Sequence, residues 1–241
     1  MRGILSYLHR DFLRWGRGRI AVISALVMPA AWLVFVGLAL PVRFTGNYLD
    51  FITPGILVMT MLSAGLSGGA LLMFDKILGF LNKFLALPTP RESILLGKIL
   101  FITARGLIQS TIILGIAILI GASVLGPAQY ALTYLILFVF GVLISGFATT
   151  VALYLEDHDS YAAFNTMISM PLFFTSSALM PYEVMPPWLR TLAHLNPLSF
   201  AIDAVRSTTV GAVPVTPLLV LATLSIAMLA LCIHAFRKVT L

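Results

Sequence analysis

Residues 51–74 read FITPGILVMTMLSAGLSGGALLMF, an uninterrupted run without a single charge. A helix needs about 20 apolar residues to cross roughly 30 Å of bilayer hydrocarbon, so this stretch is long enough to span. Within it, Gly65 and Gly69 form a GxxxG surface on which a second helix can approach closely. Runs of the same kind lie on both sides. Ile20 to Pro41 precedes it, and Ile99 to Gly121 and Ala131 to Leu155 follow. A shorter run from Ala162 to Leu179 is interrupted by Pro171, and Val215 to Phe236 comes last. Six spans place both termini on one side.

Composition agrees. Of 241 residues, 60% are hydrophobic and only 10% charged, against about 25% charged in a soluble domain; mean hydropathy is +1.03. A water-soluble fold would lack the polar side chains to cover its surface. The chain therefore reads as an all-α integral membrane protein with six transmembrane helices in one domain, residues 1–241. No linker divides it.

The net charge of +6 does not point to nucleic acid, because Lys and Arg sit at the ends of the apolar runs. With the N-terminus inside, the inner segments carry Arg2, Arg10, Arg14, Arg17, Arg19, Lys76, Lys83, Arg91, Lys98, Arg237 and Lys238. The outer ones carry Arg43, Arg190 and Arg206. This asymmetry gives an N-in, C-in topology. The inner loop with Glu156, Asp157, His158 and Asp159 lacks basic residues, but acidic residues weigh little in that rule. The Arg-rich lead-in is too long, and the run behind it too extended, for a signal peptide. Cys232 is the lone cysteine, and His9, His158, His194 and His234 are scattered, so neither a disulfide framework nor a metal site is expected.

Four stretches are candidates for function. Residues 1–19 read as an amphipathic interfacial helix. Ile4, Leu5, Leu8, Phe12 and Trp15 recur at helical spacing, with Arg10, Arg14 and Arg17 opposite. A basic tail that only sets topology is the alternative. Residues 75–98, DKILGFLNKFLALPTPRESILLGK, are too charged to span and too apolar for a disordered loop. Pro88 and Pro90 punctuate them, and Thr89, Pro90 and Glu92 approximate a helix start. The reading is a short amphipathic helix, a turn, and the start of the third span. Such a helix must bury against either a soluble partner or the headgroup layer.

In the outer segment, residues 180–212, Pro181, Pro186 and Pro187 are followed by Trp188, Leu189, Leu192 and Leu195 at helical spacing. Asn196-Pro197 then starts a second short helix, in which Asp203 and Arg206 can pair on one face. Two short re-entrant outer helices before the last span are expected, lining a watery cavity or buried in protein; Trp188 and Tyr182 also suit interfacial anchors. Within the third span, Arg105 lies close enough to the inner end to snorkel, and Gln109 follows one turn later on the same face. Both are candidates to line a pathway, with helix packing as the alternative. Glu156, Asp157, His158 and Asp159 read as a solvated turn, with a cation site at the inner surface as the alternative.

Leu66-Ser67-Gly68-Gly69-Ala70 imitates the signature sequence of ATP-binding-cassette ATPases, but it lies inside a span and the chain has no GxxxxGK[ST] loop to cradle phosphates. Small-residue packing explains it better. Taken together, Asp75, Gly79, Leu85, Pro88, Arg91, Gly97 and Lys98 in the inner loop are arranged as in another kind of protein. So are Pro181, Pro187-Trp188-Leu189, Asn196-Pro197-Leu198 and Asp203 to Arg206 in the outer segment. On these residues the chain resembles the membrane permease subunit of type 2 ATP-binding-cassette (ABC) exporters, the class that moves drugs, lipo-oligosaccharides and polysaccharides. The likeness covers nearly the whole length.

That resemblance implies a partnership. Two permease subunits, identical or not, would pair in the cell inner membrane, and two ABC ATPase subunits would dock on the inner loop through Asp75, Gly79, Lys83, Leu85, Pro88, Arg91 and Glu92. Glu156, Asp157 and Asp159 would form a second, smaller contact. Pro181, Pro187, Trp188, Asn196, Pro197, Asp203 and Arg206 would belong to an outer gate. ATP and Mg would sit on the partner, and this chain would bind no cofactor and catalyse nothing. The short outer loops argue against an importer. The competing classes are an ATP-independent channel or ion-coupled carrier, which should show intramembrane acidic residues or inverted repeats, and a membrane enzyme, which needs clustered His or carboxylates. The spans hold no acidic residue and the chain shows no convincing halves, and only the Glu156 to Asp159 turn clusters carboxylates, without a nucleophile or a second cluster.

Overall fold

The computed structural model describes residues 2–37, 48–85, 90 and 92–240. Among the described residues the chain is all α, without strands. Helix α1 runs Arg2–Arg17. After Gly18 comes α2, Arg19–Ala31, continued by a π-helical stretch, Trp32–Val36. The long α3, Tyr48–Ile77, is followed by the short α4, Phe80–Leu85. Then come α5, Glu92–Leu119, α6, Pro127–Tyr154, and α7, His158–Phe174. A 3-10 turn at Tyr182–Val184 leads into α8, Pro187–Leu195, and α9, Pro197–Thr209; α10, Val215–Thr240, ends the chain.

Four of these, α3, α5, α6 and α10, are long and apolar enough to cross a membrane, and the bent pair of α1 and α2 adds a fifth candidate. The two arms of that pair meet at 79°. Helix α7 holds 17 residues, at the lower limit of about 17 for a crossing. It starts four residues earlier than the apolar run suggests, because Asp157 caps it, and it continues through Pro171 to Phe174. The far end of the first predicted span, with Pro41 and Arg43, lies outside the described residues.

Helix α3 is the hub, packed on α5, α6, α7 and α9. Its apolar window is 72% buried, against 22% for α10, which leaves α10 as the outward-facing helix. Lipid tails are as apolar as Leu, so helices here gain little from hydrophobic exclusion and must pack closely instead. The GxxxG surface does this. A Cβ on Gly65 would come within 2.5 Å of Ile144, and one on Gly69 would lie 2.6 Å from the Ala148 carbonyl and against the Tyr161 hydroxyl. Ile144 and Ala148 are themselves four residues apart, so two small-residue turns of α3 face two turns of α6.

Burial divides into two apolar clusters. The larger joins Ile52, Ile56, Met61 and Leu66 of α3 to Ile113, Phe140, Ile144, Ile202 and Val205. The smaller gathers Tyr7 of α1, Leu72 and Met73 of α3, Leu81 of α4, Ile94 and Ile99 of α5, and Phe236 of α10. The second cluster fixes α1 and α4 to the ends of the long helices. Gly79 makes the turn between α3 and α4 with φ +69°, and its N–H bonds the Lys76 carbonyl at 3.1 Å. A left-handed residue closing a helix is the ordinary role of glycine.

Candidate functional site

At the α1 end of the bundle, charged groups from three helices meet. Asp75 of α3 is 1% exposed, Lys98 of α5 2%, and Asp11 of α1 4%. Lys98 Nζ donates to Asp75 Oδ2 and lies 3.6 Å from Asp11 Oδ2. Arg10 donates from Nε and a terminal nitrogen to Asp11 Oδ1 at 2.9 and 2.6 Å, and reaches Asp75 Oδ2 at 3.3 Å. Arg14 stands 3.8 Å from Asp75 Oδ1. The cluster pins α1 across the ends of α3 and α5. The Phe12 ring adds an edge-on contact with Phe101 at 5.0 Å. The docked face of α1 therefore includes Asp11, not only the apolar stripe.

Asp75 is thus enclosed within the chain rather than presented outward. Gly79 sets the turn into α4, and Lys83 is exposed with its ammonium 5.4 Å from the Phe80 ring. Leu85 closes α4, its side chain being outside the described residues, as are Pro88, Thr89 and Arg91. Glu92 opens α5 and accepts from Arg237 of α10 at 2.8 Å. Lys76 donates to the carbonyls of Leu153 and Leu155 at 3.0 and 2.9 Å, capping α6 where its dipole favours a cation. On the adjacent turn, Glu156 and Asp159 are exposed, and Asp157 accepts from the Ser160 hydroxyl and N–H at 2.6 and 2.7 Å. Those two donors hold the Asp157 carboxyl below the usual range.

Midway along the bundle, Arg105 donates to the Ala64 carbonyl and to Ser67 Oγ, both at 2.8 Å. Gln109 is 3% exposed. It lines a cavity of about 270 Å³ with Ser24 of α2, Ser63 and Ser67 of α3, and Asn165 and Ser169 of α7. Four helices thus turn polar side chains towards one space at membrane depth.

At the opposite end, the predicted Asp203–Arg206 pair gives way to other partners. Asp203 accepts from Ser177 at 2.9 Å and from the Tyr182 hydroxyl at 2.6 Å. Arg206 donates to the Phe51 carbonyl at 3.2 and 3.3 Å and to the Ala178 carbonyl at 3.3 Å, with its guanidinium 3.8 Å above the Phe51 ring. Backbone carbonyls and hydroxyls from other segments lie in better reach than the neighbouring turn.

Asn196 caps α9, accepting from Leu198 N–H at 2.9 Å, and its amide donates to the Leu172 carbonyl at 2.7 Å and Thr175 Oγ1 at 3.0 Å. Pro187 and Pro197 occupy the first turns of α8 and α9, where no N–H is needed, and Pro181 precedes the 3-10 turn. Trp188 is 66% exposed. Asn196→Ala removes the cap and both amide bonds, an expected loss of about 2–3 kcal/mol in thermal unfolding of the detergent-solubilised protein.

Burial, followed by the hydrogen bond to Asp203, pushes Tyr182 up to about 12. A raised tyrosine favours the neutral donor. Its contribution is therefore complete below about pH 10, the unfolded value, and is lost as pH rises through the folded one. An ultraviolet titration of wild type minus Tyr182→Phe should show one tyrosine ionising late.

Sequence reasoning did not single out Asp11, although it is the lone acidic residue among the first 19. A single carboxylate within a basic amphipathic helix was the available signal.

A family model described as ABC-2 type transporter matches residues 2–210. A protein named transport permease ycf38 from Cyanophora paradoxa is 33% identical over 204 residues, covering 82% of this chain and 70% of that one. DrrC of Mycobacterium tuberculosis, named a doxorubicin resistance ABC transporter permease protein, is 27% identical over 225 residues, covering 89% and 79% respectively. The daunorubicin resistance ABC transporter permease protein DrrB1 of Streptomyces coeruleorubidus is 24% identical over 206 residues, covering 84% and 73%.

Proposed function

The chain belongs to the ABC-2 type transporter family and is the transmembrane subunit of an ABC exporter; from that premise we propose how it is driven and what it moves. Two separate ATPase subunits bind and hydrolyse ATP with Mg, and two permease subunits pair in the cell inner membrane. Each chain forms one permease domain of six spans, N-in and C-in, with α7 as the short fifth span and α8–α9 as a re-entrant outer gate. Helix α1 lies in the inner headgroup layer.

The observation that carries this reading is the junction at the α1 end. Helices α1 and α4 are both fixed to the ends of α3 and α5, α4 through apolar burial and α1 through apolar burial and the charge cluster. A push on residues 75–98 from a docked ATPase would therefore move α1, α3 and α5 together. Lys83, Leu85, Pro88 and Arg91 form the docking surface, while Asp75 transmits from behind it and Glu92 ties the loop to α10. The exposed Glu156 and Asp159 supply a second contact.

The polar cavity around Gln109, whose lining residues Ala64 and Ser67 are bonded by Arg105, is the pathway. Relatives named for doxorubicin and daunorubicin resistance support an amphiphilic, drug-like or lipid-linked cargo.

Replacing Leu85 or Arg91 with Asp is expected to strip the ATPase from the purified complex and reduce transport to background, with membrane insertion unchanged. Co-purification from native membranes and a transport assay in the same cells read both. Transport that survives both substitutions would overturn the docking role of the loop.

A further inference from the structure

A second, smaller cavity of about 180 Å³ lies beside the charge cluster, lined by Asp11, Arg14, Trp15 and Gly18 of α1 and its elbow, Leu71 of α3, and Phe101 and Arg105 of α5. Among the described residues the Asp11 Oδ2 has no hydrogen bond, and it is countered by Lys98 at 3.6 Å. Its volume is about six water molecules' share of liquid. We propose that it binds the phosphate of a bilayer glycerophospholipid, preferentially an anionic one.

Charge points first to an anion. The groups gathered here are Arg10, Arg14, Lys98 and Arg105 against Asp11 and Asp75. Four cations face two carboxylates, and Lys98 and Arg10 already engage both acids. The surplus is two positive charges, and the cations that line the cavity itself are Arg14 and Arg105.

A second, independent observation is the state of Arg105. One terminal nitrogen is used by Ala64 and Ser67, but its buried Nε has no hydrogen-bond partner among the described residues. A guanidinium presents donors in a fixed fork suited to phosphate, and a buried donor left unmade is costly. Arg14 supplies the mobile counterpart, with a side chain 52% exposed.

The setting favours a lipid over a free ion. Trp15 belongs at headgroup depth, and Leu71 and Phe101 give the cavity an apolar floor that a glycerol ester or acyl chain covers. Basic pockets between membrane helices at an interface are where anionic headgroups bind. Arg105 lies seven residues beyond Lys98, about 10 Å along the helix, so the cavity runs inward from the charge cluster at the α1 end. The site rests on the proposed placement of α1 at a headgroup layer.

The test is native mass spectrometry of the purified full chain, titrated with phosphatidylglycerol, phosphatidylcholine or inorganic phosphate. Wild type should retain phosphatidylglycerol most tightly. Arg105→Gln and Arg14→Gln should each weaken it about tenfold, the loss of one charge-assisted hydrogen bond, while Arg105→Lys keeps part of the affinity. Arg14 is half exposed, so its variant reports binding even where Arg105→Gln fails to fold. Phosphatidylglycerol held equally by wild type and Arg14→Gln would overturn the site. Inorganic phosphate binding as tightly as the lipid would overturn the lipid assignment. Because the readout is binding, its failure leaves the exporter assignment untouched.

Discussion

Asp75→Asn is expected to destabilise the chain by about 3–5 kcal/mol, the usual result of removing one partner from a buried ion pair. The reason is the neighbour it abandons. Lys98 is 2% exposed and reaches solvent poorly, so without Asp75 its ammonium keeps only Asp11, at 3.6 Å. Arg14 also loses its partner at 3.8 Å, and α1 loses two of its ties to α3. The substitution should lower the thermal midpoint and make the elbow at Gly18 cleavable by protease, because α1 is then held mainly by Tyr7 and Phe12. Asp75→Leu combined with Lys98→Leu should recover much of the loss, since a buried pair exchanged for apolar groups is often neutral or better. A single variant with wild-type midpoint and wild-type protease resistance would show that these charges are compensated by water, not by each other.

Gly69→Val is expected to have the other large effect. Its Cβ would meet the Ala148 carbonyl at 2.6 Å and press on the Tyr161 hydroxyl, which itself donates to the Leu66 carbonyl. Backbone atoms cannot swing aside, so α3 and α6 must separate along their whole contact. Overpacking of a filled interior costs about 1–3 kcal/mol when side chains adjust, and here the obstruction is main chain, which puts the loss at or beyond the upper end. The accumulated folded protein should fall accordingly in fluorescence-detected size exclusion. Tyr161→Phe on the same background should restore only part of it, because the carbonyl stays. Gly115→Ala is the control. Nothing lies within 4 Å of its Cβ, so it should leave the profile unchanged.

Both effects bear on what a sequence alone discloses. The long apolar runs and the Gly65–Gly69 approach were legible because each is local: length and four-residue spacing suffice. Helix α1 was legible as a helix for the same reason. The charge cluster was not. Asp75 and Lys98 are 23 residues apart and Arg10 and Asp75 are 65 apart, separations at which no periodicity connects them. Asp75 accordingly reads as a surface group from its place at the end of an apolar run, and only packing reveals its burial. At the other end, a favourable three-residue spacing suggested an Asp203–Arg206 pair, yet Tyr182, Ser177, Phe51 and Ala178 compete successfully. Helix α7 differs from its apolar run because Asp157, a polar cap, sets where it starts.

The Asp11–Lys98–Asp75 cluster also constrains biogenesis. Asp11 leaves the ribosome 87 residues before Lys98, a delay of roughly 4 to 17 seconds at ordinary synthesis rates. Until Lys98 emerges, Asp11 has only its neighbour Arg10 as a counter-charge, although Asp75, made 23 residues before Lys98, is already there for Arg10 and Arg14. The full cluster closes only once α5 has been made, so the first helix is locked after α2, α3 and α4 have followed it. Quality control that probes the N-terminus would thereby report on whether the first half of the chain had been inserted correctly.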